Sequence, residues 1–142
     1  MSSIAAVAEA VAADVPLALI VLDLDGLKQL NDRHGHPAGD DCLVRVGRLL
    51  RTELRPGDQA FRIGGDEFAI LLPETSGPGA EEVTERLVEW LERSGRSSVL
   101  RVEASFGIAA TGAADDTPEG LLRAADEAMY RSKNRRKLAR SD

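Results

Sequence analysis

Two pairs of carboxylates carry the chemistry that can be read from this chain. Asp66 and Glu67 follow directly on Gly64-Gly65, between the strand-like runs Phe61-Arg62-Ile63 and Phe68 to Leu72. Paired glycines in that setting predict a hairpin with a two-residue turn at positive φ, which glycine adopts without steric penalty. Phe61, Ile63, Phe68, Ile70, Leu71 and Leu72 would anchor both arms in a core and hold the acidic tip rigid. Upstream, the apolar run Leu17 to Leu22 ends at Asp23-Leu24-Asp25. Residues two apart on a strand share a face, so these two carboxylates point the same way at the end of a buried strand. Ionised groups there are costly unless paired or metal-bound. Carboxylates meeting from neighbouring strands would hold a pair of divalent ions, the machinery of phosphoryl transfer.

The rest of the chain must position these groups. Ile4 to Asp14 is alanine-rich and helical in composition, and Pro16 stops it. Leu17 to Leu22 reads as a central strand buried on both faces. Gly26 to His36, carrying Lys28, Asn31, Asp32, His34 and His36, reads as a short helix or turn broken by the Gly35 to Asp40 run. Asp40 or Asp41 then caps a second helix whose apolar face is Leu43, Val46, Leu50 and Leu54, closed by Pro56-Gly57. After the hairpin, Ser76 to Gly79 is read as a loop. Ala80, Val83, Leu87 and Leu91 mark a third helix with Gly95 at its C-cap. Leu100, Val102, Ala104 and Phe106 alternate with Arg101, Glu103 and Ser105, as in a strand with one face buried, and Gly107 ends the alternation. Thr117-Pro118 caps a last helix with Leu121, Leu122, Ala125, Met129 and Ser132 inward. That helix ends in Arg131, Lys133, Arg135, Arg136, Lys137 and Arg140, a crowd that composition alone assigns to a solvated, dipole-matched helix end. The element order is that of an α+β fold, a mainly antiparallel sheet flanked by helices.

The 142 residues, 43% hydrophobic and 30% charged, suit one core. A net charge of −6 argues against sequence-independent nucleic-acid binding but admits one small polyphosphate carried with its own metal ions. The lone Cys42 allows no internal disulfide and reads as a buried small residue in a reducing compartment. No lysine or arginine precedes Lys28, and Glu9 and Asp14 interrupt the apolar N-terminus, so neither a signal peptide nor a membrane span is expected, and a cytoplasmic location is.

GGDEF at Gly64 to Phe68, with DLDGLKQLNDRHGHPAGDD from Asp23 and ADEAMYRSKNRRK from Ala125, resembles the GGDEF domain of diguanylate cyclases, in that family's order and spacing from Leu17 onward. The resemblance implies a polymerase-palm-like fold with a ferredoxin-like core, a single domain over residues 1–142 with 17–138 as its core. It also implies condensation of two GTP into cyclic di-GMP with release of pyrophosphate, using two Mg2+ or Mn2+ ions. On that likeness Asp23, Asp66 and the backbone carbonyl of Leu24 hold metal, and Glu67 sits near the attacking ribose hydroxyl. Asn31 and Asp40 match the guanine-reading pair: a carboxylate accepts from guanine N1-H and the exocyclic amine together, a donor pair that adenine lacks. Lys28, Gly26, Leu27, Lys133 and Lys137 match phosphate-contacting positions, and His36, Gly64 and Gly65 lie within the substrate-binding motifs. Arg55 and Asp58, with Arg62 nearby, match the family's inhibitory product site, about 16 Å of strand from the tip at roughly 3.3 Å per residue.

Three departures qualify that expectation. No Asp-x-Leu-Thr-x-Leu-x-Asn-Arg element precedes Pro16, so residues 1–16 are read as an atypical or truncated N-terminal helix that would impair activity. Gly26 and Leu27 stand where bulkier residues are usual, and Arg136-Lys137 stands where Gly-Arg is usual, so a bidentate arginine contact to phosphate is lost. The expected partners are GTP, cyclic di-GMP as product and inhibitor, and a transient or partner-assisted homodimer. The rival reading is a catalytically weak or inactive module that binds GTP or cyclic di-GMP and signals by contact.

Overall fold

The computed structural model describes residues 9–96, 103–112 and 116–141. After helical residues 9–13 come β1 (Leu17–Asp25), α1 (Leu27–His34), α2 (His36–Glu53), β2 (Gln59–Arg62), β3 (Glu67–Pro73), α3 (Gly77–Arg96), β4 (Glu103–Ala110) and α4 (Pro118–Ser141). This is the expected order, and the strands form one antiparallel sheet, β2-β3-β1-β4.

β1 is the centre of the molecule because its sequence is apolar on both sides of the pleat. Ala18, Ile20, Leu22 and Leu24 enter one core with Leu30, Leu43, Val46, Leu50, Ala80 and Leu87, from α1, α2 and α3. Leu17, Leu19 and Val21 enter a second core with Leu121, Ala125 and Met129 of α4. Each leucine, isoleucine, valine or methionine so removed from water contributes about 1.5–3 kcal/mol, which fixes the strand's register. The odd-numbered row continues as Asp23 and Asp25, so the carboxylates lie under α4. In the antiparallel register Asp23 is opposite Glu67 on one side and Ser105 on the other, and Asp25 is opposite Glu103.

Several expected details differ. The hairpin does not turn at two glycines of positive φ: among described glycines only Gly26, Gly35 and Gly112 have positive φ. Instead residues 63–66 form a wider loop, closed where the N-H groups of Ile63 and Gly64 both donate to the Glu67 carbonyl at 2.9 and 3.3 Å. Nor are both arms in the core. Phe61 and Ile63 are exposed because β2 is the sheet edge, whereas Phe68 to Leu72 are buried. Neither Asp40 nor Asp41 caps α2, which starts earlier, behind Gly35 and with Pro37 in its first turn. Helix α3 takes in Gly77 to Gly79 and runs through Gly95, so the expected loop and C-cap are both helical. Leu122 is exposed, one step off the buried Leu121-Ala125-Met129 stripe.

The largest difference is in β4. Leu100 and Val102 lie outside the described residues, and the strand continues through Gly107 to Ala110. Its buried row is Ser105, Gly107 and Ala109, of which the sequence pattern puts Ser105 on the wet side and Gly107 at the strand end, while Ala104, Phe106 and Ile108 are half-buried on the other face. The small row is needed because α4 lies directly on it: a Cβ at Gly107 would fall 2.0 Å from the Ala125 carbonyl oxygen and 2.3 Å from the Met129 nitrogen. Both are backbone atoms and neither can swing aside. Gly107→Ala should therefore destabilise the fold by about 3 kcal/mol or more, at the upper end of overpacking costs. Urea unfolding followed by circular dichroism measures it, and a loss under about 1 kcal/mol would contradict this packing.

Candidate active site

The end of β1 meets the hairpin loop through one backbone bond, from Leu24 N-H to the Asp66 carbonyl at 2.9 Å. That bond sets Asp66 beside Asp23 and Leu24, and the Asp66 charge helps to raise the Asp23 pKa. Arg62 braces the loop from below, donating through Nε to the Gly64 carbonyl at 3.2 Å and through its terminal nitrogen to the Gly65 carbonyl at 2.8 Å. A Cβ at Gly65 would meet nothing within 4 Å, so the loop is open at that position.

Asp23 is 7% exposed. Its Oδ2 accepts from Lys133 Nζ at 2.7 Å, while its Oδ1 is buried with no partner. Burial raises the Asp23 pKa above the ordinary carboxylate value despite the Lys133 bond, and that same bond raises the pKa of Lys133. Asp25 accepts from Ser105 Oγ at 2.8 Å and from Arg136 at 3.1 Å. Arg136 also reaches Glu103 at 2.8 Å and the carbonyl of Ala104. Glu67, opposite Asp23, has its pKa pushed up to about 7, first by burial, then by a hydrogen bond to Asp126 of α4 and the charges of Asp126, Asp23 and Asp66.

Among the described residues no cluster of three or more acidic, histidine or cysteine side chains surrounds a metal position. The site nonetheless fits a divalent ion by another donor set. Asp23 and Asp66 would supply two carboxylates and Leu24 a carbonyl, and among the described residues the buried Asp23 Oδ1 has no hydrogen-bond partner, which a cation would provide.

The remaining predicted residues fall in two further places. Asn31 accepts from the Gly39 N-H at 2.8 Å, across the α1-α2 junction. A Cβ at Gly39 would lie 2.2 Å from Asn31 Oδ1, so glycine is what lets that side chain seat one residue from the exposed Asp40. His36 begins α2, and Gly26, Leu27 and Lys28 lie at the start of α1, just past Asp25. Lys137 lies exposed on α4, one residue beyond Arg136. Arg55 and Asp58 form a separate clamp. The guanidinium holds Asp58 through two nitrogens at 3.2 and 3.0 Å, and also donates to the Pro73 carbonyl and Thr75 Oγ1, each at 2.9 Å.

Two participants escaped sequence reading. Arg136 had a signal: Lys133 and Arg136 are three apart on a helix and Asp23 and Asp25 two apart on a strand, spacings that both come to roughly 5–7 Å. Asp126 had none, because only the packing of α4 brings it to Glu67. A groove of ≈ 780 Å³ between α3, β4 and α4 is lined by Arg136 but by none of the predicted carboxylates.

An antiparallel α+β sheet with acidic groups gathered at one end of its central strand is a palm-like architecture. The family model for the diguanylate cyclase GGDEF domain matches residues 3–138, and the chain belongs to that family. It is 38% identical over 128 residues to the diguanylate cyclase TpbB of Pseudomonas aeruginosa, covering 87% of this chain and 29% of that protein. It is also 38% identical over 128 residues to the diguanylate cyclase DgcS of Shewanella oneidensis, covering 90% and 43%. The chain thus spans less than half the length of these relatives. Among solved structures, the isolated GGDEF domain of TpbB superposes with a TM-score of 0.85 at 37% identity, covering 93% of this chain and 79% of that one. The GGDEF domain of DgcB from Caulobacter crescentus, solved in complex with c-di-GMP, gives 0.83 at 28% identity, covering 92% and 80%.

Because the folded pKa of Glu67 lies above its ordinary value of 4.5, the folded state binds the extra proton between those two values. Its contribution to stability is full below about 4.5 and is lost as pH rises through about 7. In metal-free protein, the melting temperature of wild type relative to Glu67→Gln should therefore fall between pH 5 and pH 7.5. Parallel profiles for the two proteins would contradict the shift.

Proposed function

We propose that this chain is a diguanylate cyclase that joins two GTP molecules into cyclic di-GMP with release of pyrophosphate. The observation that carries the reading is the buried, half-unpartnered Asp23 within reach of the Asp66 charge, with Leu24 N-H bonded to the Asp66 carbonyl. Bound Mg2+ or Mn2+, two per site, would neutralise the α-phosphate and favour the 3′-oxygen that attacks it. Asp23, Asp66 and the Leu24 carbonyl would hold the ions. Glu67, paired across the strands with Asp23, takes the proton of the attacking hydroxyl. Asp40 and Asn31 read the guanine edge, and Lys28 and the backbone at Gly26 and Leu27 contact phosphate. Each chain offers one GTP site and the product has two like linkages, so two copies face each other about a two-fold axis. The Arg55-Asp58 clamp takes product as an inhibitor, trading its internal contacts for those of a guanine or phosphate.

The reading is supported by relatives named as diguanylate cyclases at 38% identity. A cyclase structure solved with its activator, SiaD with SiaC of Pseudomonas aeruginosa, supports a protein partner as well. Among the described residues no helix is long and apolar enough to cross a membrane, and a GTP-consuming reaction suits the cytoplasm. The alternative, a non-catalytic module that binds GTP or cyclic di-GMP, is favoured by Lys133, which already satisfies one oxygen of Asp23.

Incubation of the chain with GTP and Mg2+, with chromatographic resolution of the nucleotides, separates the two readings. Cyclic di-GMP is expected, and binding without turnover would favour the module. Asp66→Asn should reduce turnover at least about a hundredfold while leaving the circular dichroism spectrum unchanged, since an amide loses the charge that holds a hard cation. Asp40→Ser should relax GTP-over-ATP selection by about 1–3 kcal/mol, the scale of a lost base-edge contact. Unchanged discrimination in a competition assay would remove Asp40 from guanine recognition.

A further inference from the structure

We infer that Lys133 is the resident counterion of the cation seat, competing with the divalent ion for Asp23 and released toward the nucleotide phosphates when the ion enters. This rests on the metal-dependent reading above. Lys133 Nζ lies 2.7 Å from Asp23 Oδ2 and 3.6 Å from Asp25 Oδ1, with side-chain exposures of 25% for the lysine, 10% for Asp23 and 12% for Asp25. The two carboxylates are not equally dependent on it. Asp25 keeps Ser105 Oγ and the Arg136 guanidinium without any help from Lys133. Among the described residues Asp23 has Lys133 alone on Oδ2 and no hydrogen-bond partner on Oδ1. Removing the ammonium strands Asp23 only.

The two cations also differ in what holds them. Arg136 is tied at once to Asp25, Glu103 and the Ala104 carbonyl, a planar fork locked by several acceptors. Lys133 is a compact charge on a flexible stem, bound among the described residues by the two aspartates alone. A divalent ion on Asp23 would meet the ammonium as a like charge within a few ångströms, so the lysine leaves and the arginine stays. Asp25 is thereby reserved as an anchor for α4 and Asp23 left as the exchangeable group. Metal and nucleotide then assist each other: a phosphate that accepts Lys133 clears the seat, and an ion that expels Lys133 supplies the phosphate with a cation. In the absence of nucleotide the lysine weakens metal binding by the fraction of time that it holds the seat.

Mn2+ binding without nucleotide, measured by the free-ion electron paramagnetic resonance signal at pH 7.5, tests this on wild type, Lys133→Gln, Arg136→Gln and Asp23→Asn. Lys133→Gln should bind Mn2+ at least about tenfold tighter than wild type, as expected if the lysine occupies the seat nine-tenths of the time. Arg136→Gln removes the same charge without freeing Asp23 and should change affinity much less. Equal tightening in both variants, or none in Lys133→Gln, overturns the counterion role. Asp23→Asn binding Mn2+ as well as wild type overturns the underlying metal assignment instead. A wild-type measurement covers the case of a poorly folded variant: saturating Mg2+ alone should raise acetylation of Lys133 by acetic anhydride severalfold relative to Lys28, read by peptide mass spectrometry. Unchanged Lys133 labelling would overturn the exchange.

Discussion

The structure turns on negative charge at the buried end of β1. The strand is apolar on both faces up to Leu22, and burial of its two rows fixes both register and depth. Having fixed them, the fold must hold Asp23 and Asp25 where water reaches poorly. Carboxylates so placed need partners, because transfer from water without them costs several kcal/mol per ion. Helix α4 supplies Lys133 and Arg136, β4 supplies Ser105, and the hairpin supplies a further carboxylate in place of relief. The result is a cluster with one buried oxygen on each of Asp23 and Asp25 lacking a hydrogen bond. A hydrophobic strand thereby becomes the rigid support of a cation seat.

The small-residue row of β4 follows from the same requirement. Lys133 and Arg136 reach the strand end only if α4 lies close to the sheet, and Gly107, between Ser105 and Ala109, allows that approach. A larger residue there would lift the helix and withdraw both cations. Asp126 rides on the same helix and meets Glu67, so the separation of α4 from the sheet sets the electrostatics of both acidic pairs at once.

What could be read in the sequence was whatever a local pattern encodes. The β1 run, the apolar faces of α2 and α3, the Thr117-Pro118 helix start and the clustering of Asp23, Asp66 and Glu67 all appear as expected, and Thr117 Oγ1 accepts from the Gly120 N-H at 3.0 Å. Several of the failures share a cause, dependence on distant packing. Ser105 and Gly107 look like wet or terminating residues because reading weighs large apolar side chains, whereas a helix in close contact needs small ones. Phe61 looks buried until β2 proves to be an edge strand. Gly95 resembles a cap but lies inside α3, where helix context overrides its propensity. The basic end of α4 looked like a solvated helix terminus, and only the tertiary fold selects Lys133 and Arg136 from it as partners of β1.

The most direct test is a crystal structure of the chain with Mn2+ and a non-hydrolysable GTP analogue, with anomalous scattering used to locate the metal. The account predicts an anomalous peak bounded by Asp23, Asp66 and the Leu24 carbonyl, with Arg136 still on Asp25 and Lys133 turned from Asp23 toward a phosphate oxygen. Manganese bound elsewhere, or bound there with Lys133 still on Asp23, would contradict it.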